Sequence, residues 1–472
     1  MSAVTPRVSS TFQDIDQFRH RDDRGGTIKH NGLQSKTTEE ATRQLWRRSP
    51  GWPDKNGDGT YDVSYEFLSA PADKKLKRGG RSGFTSILEN QRKQTELSLQ
   101  SIADVANVKF NEGPRTVKSE GHIAIGNYGQ RFDKNNKSID AQPHTELPDN
   151  KGRGGAVWFV NNAEEMSVPK AHHGDAGRHT ITHELGHAMG LTHPGNYNGF
   201  LDRSKIDSHE DSQSHSVMSY RGERTTYANH GGFRASAPQL DDISAYQSKY
   251  GANHQTRKDD TTYGFNSNTD RDFLSVNTKD DKMLAAIWDG GGNDTLDFSG
   301  YVQDQKISLK EGTFSDVGAL KGNVSIAYGA TIENAIGGAG NDWLVGNTAN
   351  NELRGGDGND VLYGAEGADR LWGGKGNDTF VYGKINESSA AAPDRIEDFV
   401  SGQDKVDVSG IRAQLGDKPL QFVSRFSGAS GDAIVAYDRL LNLSTLQVAG
   451  EPNDPTFVLQ VQGELRRSDI VS

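Results

Sequence analysis

The sequence predicts a two-domain protein, with a mixed α/β domain over residues 11–250 and an all-β domain over residues 251–472 that contains a parallel β-roll. Three observations predict this division. Strand-like and helix-like segments alternate as far as about residue 250. After Gly251 the chain becomes rich in Gly, Asp and Asn and loses helical periodicity. Within this second part a nine-residue repeat runs from Gly337 to Val381, and such a period is typical of a solenoid.

The composition restricts the classes of protein to consider. The 472 residues are enough for two or three domains with an ample core. Only 33% of them are hydrophobic and 55 are glycine, so part of the chain is not an ordinary globular fold. The net charge of −11 argues against a nucleic-acid or anionic-membrane partner and suits a calcium-binding protein. Without cysteine there are no disulfides and no thiolate metal ligands.

The first residues, "MSAVTPRVSSTFQDIDQF", contain no apolar core of the kind that a Sec-type signal requires. The longest apolar runs, near "MLAAIW" and "AVWFV", are far too short to span a bilayer. The absence of cysteine fits a cytosolic protein and also an exported one. If the chain leaves the cell, its export signal lies elsewhere.

The elements of the first domain follow from residue spacing. In "YDVSYEFL" the apolar residues alternate as in a half-buried strand. The segment "GFTSILENQRKQTELSLQSIADVANV" lacks Gly and Pro after its first residue and predicts a long helix. Strands are predicted for "HIAIGNYG" and "AVWFVNN", and a helix follows that carries three histidines. A last helix, "APQLDDISAYQSKYG", begins near Pro238 and stops at Gly251.

The repeat of the second domain reads "GGAGNDWLV", "GNTANNELR", "GGDGNDVLY", "GAEGADRLW" and "GGKGNDTFV". Its glycines allow turns with φ > 0 that direct carbonyl oxygens inward. The sixth position supplies the hard carboxylates that calcium prefers, in Asp342, Asp360, Asp369 and Asp378. The eighth position is always apolar, as the interior of a coil requires, in Leu344, Leu353, Leu362, Leu371 and Phe380. A flexible linker has no reason to keep that apolar position, so we predict a calcium-bound parallel β-roll.

The second unit of the repeat is defective, because Ala349 replaces a glycine and Asn351 replaces the aspartate. Two consecutive units make one coil, so neighbours on the same side are two units apart. The units that begin at 337, 355 and 373 should therefore stack into good calcium sites, while the pair at 346 and 364 should be weaker.

An earlier segment, "DKNGDGTYDVSYE", begins like an EF-hand loop with Asp54, Asn56 and Asp58. The twelfth position, which should be a bidentate Glu, is Tyr65, and Glu66 comes one place late. A polar turn before a strand explains the same residues and is the interpretation that we favour over a calcium loop.

The stretch "HELGHAMGLTH" predicts a metal centre. On a helix His183 and His187 share one face, and Glu184 lies beside them where it can accept a proton from water. Gly190 is expected to end the helix in a left-handed cap, so that the reversed chain can bring His193 to the same ion. Three neutral imidazoles with an open position select zinc and would lower the pKa of a water ligand to about 7.

A short distance downstream, "SVMSY" contains Met218 and Tyr220. HExxHxxGxxH followed by such a Met-turn resembles the metzincin pattern. Together with the calcium repeats, the chain resembles the serralysin family, the secreted alkaline metalloproteases of Gram-negative bacteria. The likeness runs from about Phe12 to the C-terminus. It includes "LSLQSIADVANVKF", "APQLDDISAYQSKYGAN", "TYGFNSNTDRDFLS", "WDGGGNDTLDFSGY", "LKGNVSIA" and "TIENAIGG".

The resemblance implies a fold and a set of catalytic roles. The first domain would be a metzincin-type twisted sheet with helices, and the roll would end in a β-sandwich-like part. Zinc would bind His183, His187 and His193, with Glu184 as general base and Met218 packed beneath the ion. Tyr220 would be a fifth ligand in the resting enzyme and would stabilise the oxyanion during the reaction. The remaining conspicuous histidines have no matching role and are predicted at the surface: His172, His173, His209 and His215.

The resemblance also implies calcium ligands outside and inside the repeats. Outside them the matching positions are Arg257, Asp259, Thr261, Asp289, Gly291, Gly292, Asp294, Thr331 and Glu333. Within them the matching positions are Gly338, Gly340, Asp342, Gly356, Gly358, Asp360, Ala365, Gly367, Asp369, Gly374, Gly376 and Asp378.

Export and processing are further expectations from the resemblance. A type I ABC exporter would read the C-terminus, which ends in "SDIVS", and residues 1–10 would be a short propeptide. A small periplasmic inhibitor protein is a further expected partner. Calcium would fold the roll outside the cell, because extracellular modules bind calcium at roughly 10⁻⁴–10⁻³ M. We expect a monomer. The segment "DAQPHTELP" would be the cleft strand that pairs with extended substrate, and Pro143 within it is tolerable only at an edge.

The predicted function is an extracellular zinc endopeptidase of broad specificity that acts on proteins. Two alternatives stay open. A calcium-dependent surface or adhesion protein with a vestigial metal site would fold with calcium and hydrolyse no peptide. A zinc hydrolase of a non-peptide amide would differ only in its substrate.

Overall fold

A computed structural model describes residues 8–69, 81–132, 138–139, 142–149, 151–160, 168–197, 201–206, 208–452 and 454–472. Most of the predicted propeptide, the first two residues of the predicted cleft strand and the last two of "AVWFVNN" lie outside these residues. The chain forms two compact units. The mixed unit contains residues 24–256 and 284–290, and the roll unit contains residues 8–23, 257–283 and 291–472.

Six α-helices occur in the described chain: α1 Ser10–His20, α2 Thr38–Leu45, α3 Glu89–Val105, α4 Ala176–Ala188, α5 Leu240–Tyr250 and α6 Ser409–Gln414. Short 3₁₀ turns occupy Val168–Lys170, Arg203–Lys205, Glu223–Thr225, Asp272–Leu274 and Arg467–Asp469. None of the described helices is both long and apolar enough to cross a bilayer.

The unit boundaries differ from the predicted boundary at residue 250, because α1 belongs to the roll unit. The Ser9 hydroxyl caps this helix by accepting the Phe12 amide at 2.9 Å. The apolar face of α1 carries Ile15 and Phe18, which are buried in a cluster with Val345, Tyr363 and Val381. A helix is placed by its apolar face, so α1 packs on the repeat although about 325 residues separate them in sequence.

The mixed unit contains strands β1 Lys29–His30, β2 Leu33–Gln34, β3 Tyr61–Phe67, β4 Arg81–Ser82, β5 Val108–Glu112, β6 Gly121–Tyr128, β7 Gln130–Phe132, β8 Ser138–Ile139, β9 His144–Thr145 and β10 Ala156–Val160. The main sheet has the order β5-β3-β6-β10-β9. Its pairs are parallel except for β9, which runs antiparallel to β10 and forms the edge. Helix α3 packs against α4, and α5 packs against α2.

Helix α3 begins at Glu89, later than the sequence predicts. Thr85 instead forms a bridge with Asn127 at the end of β6, and its amide donates to the Asn127 carbonyl at 3.3 Å. The Gln91 side chain then accepts the Leu88 amide at 2.9 Å and starts the helix. A tertiary contact therefore keeps residues out of the helix although their local sequence is compatible with it. Helix α5 agrees with its prediction and ends at Gly251 with φ +75°.

Strand β12, Ala285–Ile287, belongs to the mixed unit. The remaining strands belong to the roll unit: β11 Thr262–Gly264, β13 Thr295–Asp297, β14 Lys306–Ser308, β15 Phe314–Ser315, β16 Val324–Ile326, β17 Asn334–Ile336, β18 Trp343–Val345, β19 Glu352–Asp357, β20 Val361–Tyr363, β21 Arg370–Lys375, β22 Thr379–Val381, β23 Asp394–Ile396, β24 Lys405–Asp407, β25 Gln421–Phe422, β26 Asp432–Asp438, β27 Leu443–Val448, β28 Phe457–Gln462 and β29 Ile470–Val471.

The repeat forms two parallel sheets in the roll unit. One contains β13-β17-β19-β21-β23, and the other has the order β14-β18-β20-β22-β24-β29. Leu353 is paired with Leu371 in one sheet, and Leu344 with Leu362 in the other. This interval of 18 residues confirms that two repeat units make one coil. The eighth-position residues are fully buried, as predicted.

The C-terminal strands extend the first of these sheets. Strand β28 pairs in parallel with β23, and β26, β27 and β28 form an antiparallel meander. The part predicted to be β-sandwich-like therefore continues a sheet of the roll, because the edge of β23 is available to β28.

Candidate metal centre and active-site cleft

Helix α4 carries the predicted motif and is buried along most of its length. Asp175 caps it by accepting the Arg178 amide at 2.8 Å. The buried Arg178 side chain donates to Ser98 Oγ at 2.8 Å and to Gln94 Oε1 at 2.6 Å, both on α3. Hydrogen bonds as well as apolar packing thus fix the position of the helix in the mixed unit.

Gly190 ends the helix as the sequence predicts. Its φ is +109°, its amide donates to the His187 carbonyl at 2.9 Å, and the Leu191 amide donates to Gly186 at the same distance. A Cβ at this position would lie 2.8 Å from the Trp46 ring. Glycine is required here by backbone conformation and by space, and the turn brings His193 back to the helix.

The three motif histidines share one orientation. Each Nδ1 faces a main-chain carbonyl: His183 faces Val217 at 2.8 Å, His187 faces Leu191 at 2.7 Å, and His193 faces Tyr197 at 3.0 Å. A carbonyl oxygen only accepts, so every Nδ1 carries the proton. Every Nε2 of the neutral rings is therefore a bare lone pair, available as a ligand.

The spacing of these nitrogen atoms fits a tetrahedral zinc ion. The Nε2 atom of His193 lies 3.2 Å from that of His187 and 3.3 Å from that of His183. Ligands bonded at 2.0–2.1 Å to a tetrahedral ion are separated by about 3.3 Å. Burial lowers the pKa of His183 to about 4 and that of His193 to about 3, so the rings are neutral. Three facing lone pairs repel one another unless a cation lies between them.

Glu184 is buried beside these nitrogen atoms, and burial raises its pKa to about 7. The Thr145 hydroxyl lies 2.7 Å from Glu184 Oε2 and 3.1 Å from the Glu184 carbonyl oxygen. The hydrogen bond to the carboxylate opposes the effect of burial on the pKa and orients the side chain. Thr145 lies on edge strand β9, so the cleft strand also holds the carboxylate.

The Met-turn lies beneath the helix. Met218 is fully buried, and a Cβ on Gly186 would approach its Sδ to 2.4 Å. Asp242 on α5 holds the turn by accepting the Ser216 hydroxyl at 2.6 Å and the Val217 amide at 2.8 Å. Because Val217 also accepts from His183, Asp242 supports a candidate ligand through one intervening residue.

Tyr220 reaches the same cluster. Its ring centroid lies 4.3 Å from that of His193 and 5.6 Å from that of His183. Its amide donates to the Tyr197 hydroxyl at 3.3 Å, and that hydroxyl donates to Asp211 at 2.7 Å. The structure therefore brings together all the predicted zinc and catalytic residues.

A cleft extends on both sides of this cluster. Both sides are lined by Gln142, Pro143, Glu184 and Tyr220. One side also contains Arg47, Arg48, Leu147, Thr192 and Tyr197. The other also contains Ala176, His179, Thr180, Gln213 and Arg234.

The aspartates of the repeat stack in columns within the roll unit. The Asp342 amide donates to Asp360 Oδ1 at 2.7 Å, and the Asp360 amide donates to Asp378 Oδ1 at 2.9 Å. In Asp360, Asp369 and Asp378 the second carboxylate oxygen is buried without a hydrogen-bond donor among the described residues. Burial and the neighbouring carboxylates raise the pKa of Asp360 to about 8. Unpaired buried oxygens of this kind fit calcium.

Glycine allows the coils to stack closely. Gly356, Gly358, Gly374 and Gly376 all have φ between +98° and +141°. A Cβ on Gly376 would lie 1.6 Å from the Gly358 carbonyl oxygen one coil below. Gly367 has φ +142°, and Ala365 reaches φ +73° without being glycine. Gly338 and Gly340 lack such a φ, but a Cβ on Gly338 would lie 2.2 Å from the Tyr301 carbonyl oxygen.

The candidate calcium ligands before the repeat are also linked. The Thr261 amide donates to Asp294 Oδ1 at 2.7 Å, and the Asp294 amide donates to Glu333 Oε2 at 2.8 Å. Asp259 accepts the Thr261 hydroxyl through its carbonyl at 2.8 Å. The backbone has positive φ at Arg257, Gly291 and Gly292. Thr331 lies in the same unit, whereas Asp289 belongs to the mixed unit.

Comparison with known proteins identifies the family. The family model for the C-terminal region of the peptidase M10 serralysins matches residues 252–472. Metallopeptidase AprA of Pseudomonas marginalis is 45% identical over 99% of this chain and 97% of its own length. Metalloprotease AprA of Pseudomonas entomophila is also 45% identical, over 100% and 97%, and serralysin C of Dickeya chrysanthemi is 43% identical over 98% and 95%.

The chain belongs to the serralysin family. It is a metalloendopeptidase, and membership supports an extracellular location and protein substrates. In this serralysin the His183, His187 and His193 cluster is a group of residues that could hold a metal ion.

One prediction about the other histidines is wrong. His215 is predicted at the surface but is only 8% exposed. Its ring is hydrogen-bonded to the Ser214 hydroxyl, and its main-chain carbonyl accepts the Asp241 amide. His209 is half-buried, with its ring 4.5 Å from that of His30. His172 is exposed as predicted, and His173 is half-buried against Ser236. Sequence spacing contains no information on the N-terminal strands that cover His209 in this serralysin.

Three supporting residues were not found from the sequence of this serralysin. Thr145 on β9 contacts Glu184, and Asp242 on α5 contacts Val217. No sequence spacing links either residue to its partner. Asp394 accepts the Asp369 amide at 3.0 Å, as the repeat aspartates do, but it comes 25 residues later and not 18. A search for aspartates beyond the last repeat unit would have found Asp394.

The turn "DKNGDGTYDVSYE" supports the non-calcium interpretation. Asp54 accepts the amides of Gly57 and Gly59 at 2.6 and 3.1 Å, and Asp58 accepts that of Thr60 at 2.7 Å. The carboxylates thus stabilise their own turn before β3.

Proposed function

We propose that this serralysin is a secreted zinc-dependent endopeptidase of broad specificity, in which Glu184 is the general base and Tyr220 stabilises the oxyanion. The convergence of three bare Nε2 atoms next to a buried carboxylate is the observation that carries the proposal. His183, His187 and His193 would hold the ion, with Tyr220 as an additional ligand at rest. Zinc, when bound, supplies a Lewis acid that makes water more acidic and a peptide carbonyl more electrophilic.

The residues of this chain then have distinct tasks. An extended substrate pairs with β9, which places the scissile carbonyl over the histidine cluster. Glu184 accepts a proton from water as the water oxygen bonds to the carbonyl carbon. It delivers that proton to the amide nitrogen as the C–N bond breaks. Tyr220 donates its hydroxyl hydrogen to the developing oxyanion, and Thr145 keeps Glu184 oriented.

The test is hydrolysis of casein by the purified chain in millimolar calcium, with and without o-phenanthroline. The proposal expects hydrolysis that the chelator abolishes and zinc restores. A folded, zinc-loaded chain that cleaves no protein would favour the calcium-dependent surface protein. Cleavage of a small amide but not of casein would favour the non-peptide hydrolase.

Tyr220→Phe is expected to lower kcat by about 100-fold with little change in KM, because one oxyanion donor is lost. Steady-state kinetics on a fluorogenic peptide measure this, and zinc content is determined in parallel. Tyr227→Phe removes a half-exposed phenol outside the cleft and serves as the matched control. An unchanged kcat in Tyr220→Phe would remove Tyr220 from the mechanism.

We further propose that calcium folds the roll after export by a type I ABC exporter that reads the C-terminus. Buried, donor-free carboxylate oxygens in the stacked coils support this proposal. In this proposal residues 1–10 are a propeptide. The mixed unit is the catalytic domain, and the roll unit is the calcium-binding domain. We also propose that the enzyme is a monomer and that a small periplasmic protein inhibits it.

The defective repeat unit gives a sharp test of the calcium ligands. Asn351 Nδ2 donates to the Glu333 carbonyl at 2.9 Å and to Asn347 Oδ1 at 3.1 Å, while its Oδ1 accepts the Asn347 amide at 2.8 Å. Both polar atoms of the Asn351 side chain are therefore hydrogen-bonded, whereas Asp360, Asp369 and Asp378 each keep a carboxylate oxygen without a donor.

Asn351→Asp is therefore expected to raise the calcium content by one ion per chain. Isothermal titration and metal analysis after dialysis measure the change. Asn350→Asp adds the same charge at an exposed position and should leave the content unaltered. Equal calcium content in both variants and the parent would contradict the assignment of the sixth position as a ligand.

A further inference from the structure

The direction of edge strand β9 orients a bound peptide in the cleft. Beyond β9 the main sheet has no further strand in the described chain, so its outer edge is open to an added strand. Antiparallel pairing is the more stable arrangement per residue. A peptide bound in this way runs from the Leu147 end of β9 towards the Gln142 end.

This orientation assigns the two sides of the cleft. The side with Arg47 and Arg48 includes Leu147, and it would hold residues before the scissile bond. The side with His179 and Arg234 includes Gln142 and Pro143, which precede β9, but not Leu147, which follows it. It would hold residues that follow the scissile bond.

The arginines on the two sides differ in their contacts. Arg47 donates to the carbonyls of His193, Pro194 and Gly195 at 2.7 to 2.8 Å, which occupies its guanidinium. Arg48 donates to Asn196 at 2.6 Å. Arg234 is exposed and makes no ion pair or side-chain hydrogen bond with another described residue. Its five donors are therefore available to a ligand.

The main chain that carries Arg234 is fixed against the start of α4. The Arg234 amide donates to the Gly174 carbonyl at 2.8 Å, and the Ser236 hydroxyl accepts the Gly174 amide at 2.8 Å. His179 Nδ1 donates to the Ala235 carbonyl at 3.1 Å. The fixed main chain keeps the Arg234 side chain on this side of the cleft.

The other residues on this side leave the arginine charge largely unopposed. Ala176, Thr180, Gln213 and Ser219 are neutral, and among the described residues Glu184 is the only carboxylate that lines this side. The Glu184 side chain is buried and hydrogen-bonded to Thr145.

We propose that Arg234 forms a subsite that selects an acidic side chain in the first or second position after the scissile bond. A substrate carboxylate would accept hydrogen bonds from the guanidinium, in a bidentate geometry where the rotamer allows. This inference rests on the proposed peptidase function and adds a substrate class to it: peptides with Glu or Asp just after the cleaved bond.

The test compares three fluorogenic peptides that differ only in Glu, Gln or Lys at one of these two positions. The wild-type enzyme, loaded with zinc and calcium, is expected to prefer Glu over Gln by about twofold to fivefold in kcat/KM, the upper part of the range of an exposed ion pair. The preference should shrink in 0.5 M NaCl because salt screens exposed charges.

Variants connect the preference to one side chain. Arg234→Gln should cleave the Glu and Gln peptides equally, Arg234→Lys should keep part of the preference, and Arg234→Glu should favour the Lys peptide. Arg224→Gln makes the same charge change at a position that is 72% exposed and outside the cleft, and it should keep the wild-type preference.

The outcomes separate this inference from the function on which it rests. Equal cleavage of the Glu and Gln peptides by wild type, or a preference that persists in Arg234→Gln, would overturn the subsite while the peptidase function stands. If the loaded wild-type enzyme cleaved neither these peptides nor casein, the peptidase function would fail, and the subsite with it.

Discussion

Glu184→Gln is expected to lower kcat/KM on peptides by about 10³–10⁴-fold while zinc stays bound. Glutamine keeps the size of the side chain and the hydrogen bond from Thr145, but it cannot accept and return a proton. His183, His187 and His193 keep their carbonyl partners in this variant, so the metal site is unchanged. Peptide kinetics and zinc analysis on the same preparation measure both quantities.

The matched control is Glu39→Gln on α2, whose side chain is 80% exposed and paired with Arg43. It should retain wild-type kinetics. Substantial proteolysis by a zinc-loaded Glu184→Gln variant would show that the proton passes through another group. Loss of zinc in that variant would instead show that the carboxylate supports the metal site.

Removal of calcium is expected to unfold the roll unit. Without the ion, Asp342, Asp360 and Asp378 form one buried column, in which the amide hydrogen bonds only partly offset the cost of burying charged carboxylates. The part of the β-sheet signal in circular dichroism that comes from the roll unit should be lost in EGTA and return with calcium, with a midpoint at roughly 10⁻⁴–10⁻³ M. Asp360→Asn should raise that midpoint by at least tenfold, since one missing ligand interrupts two neighbouring sites.

The control is Asp357→Asn, in the same coil but exposed and paired with Lys375, which should shift the midpoint little. A roll unit that keeps its sheet signal in EGTA would contradict a structural role for calcium.

Protons are expected to compete with calcium during the calcium-induced folding of the roll unit. Burial and its neighbours raise the pKa of Asp360 to about 8 in the folded, metal-free state, far above the ordinary value of 3.8. A folded state with a raised pKa binds more protons than the unfolded state, so without metal its stability falls as pH rises from about 4 to 8. Calcium binds the deprotonated carboxylate. The calcium concentration at the folding midpoint should therefore decrease as the pH is raised from 6 to 8. A midpoint independent of pH would contradict this coupling.

The candidate site residues that the sequence alone singles out are those that local spacing connects. His183 and His187 lie one turn apart on one helix with Glu184 next to His183, Gly190 is the residue type that ends the helix, and the repeat has a fixed period. Contacts between distant segments have no such periodicity. Thr145 reaches Glu184 across 39 residues, and Asp242 reaches Val217 across 25.

The same limit explains the errors in element boundaries. Residues 85–88 would continue α3 by local propensity, but the end of β6 offers Thr85 a backbone partner. His215 looks like any polar residue in a loop until the segments around it are folded together. Propensity is a weak prior, and a tertiary contact overrides it readily.

Because α1 packs on the repeat, the roll unit is assembled from the two ends of the polypeptide. Ile15 and Phe18 meet Val345 and Val381 only after the intervening residues have been made, so this part of the fold has very high contact order. The amino-terminal helix therefore cannot dock until the repeat has been synthesised and folded, and this late docking should be the slow step of maturation. Truncation of the first 23 residues would leave a repeat that binds calcium but presents an uncovered apolar strip.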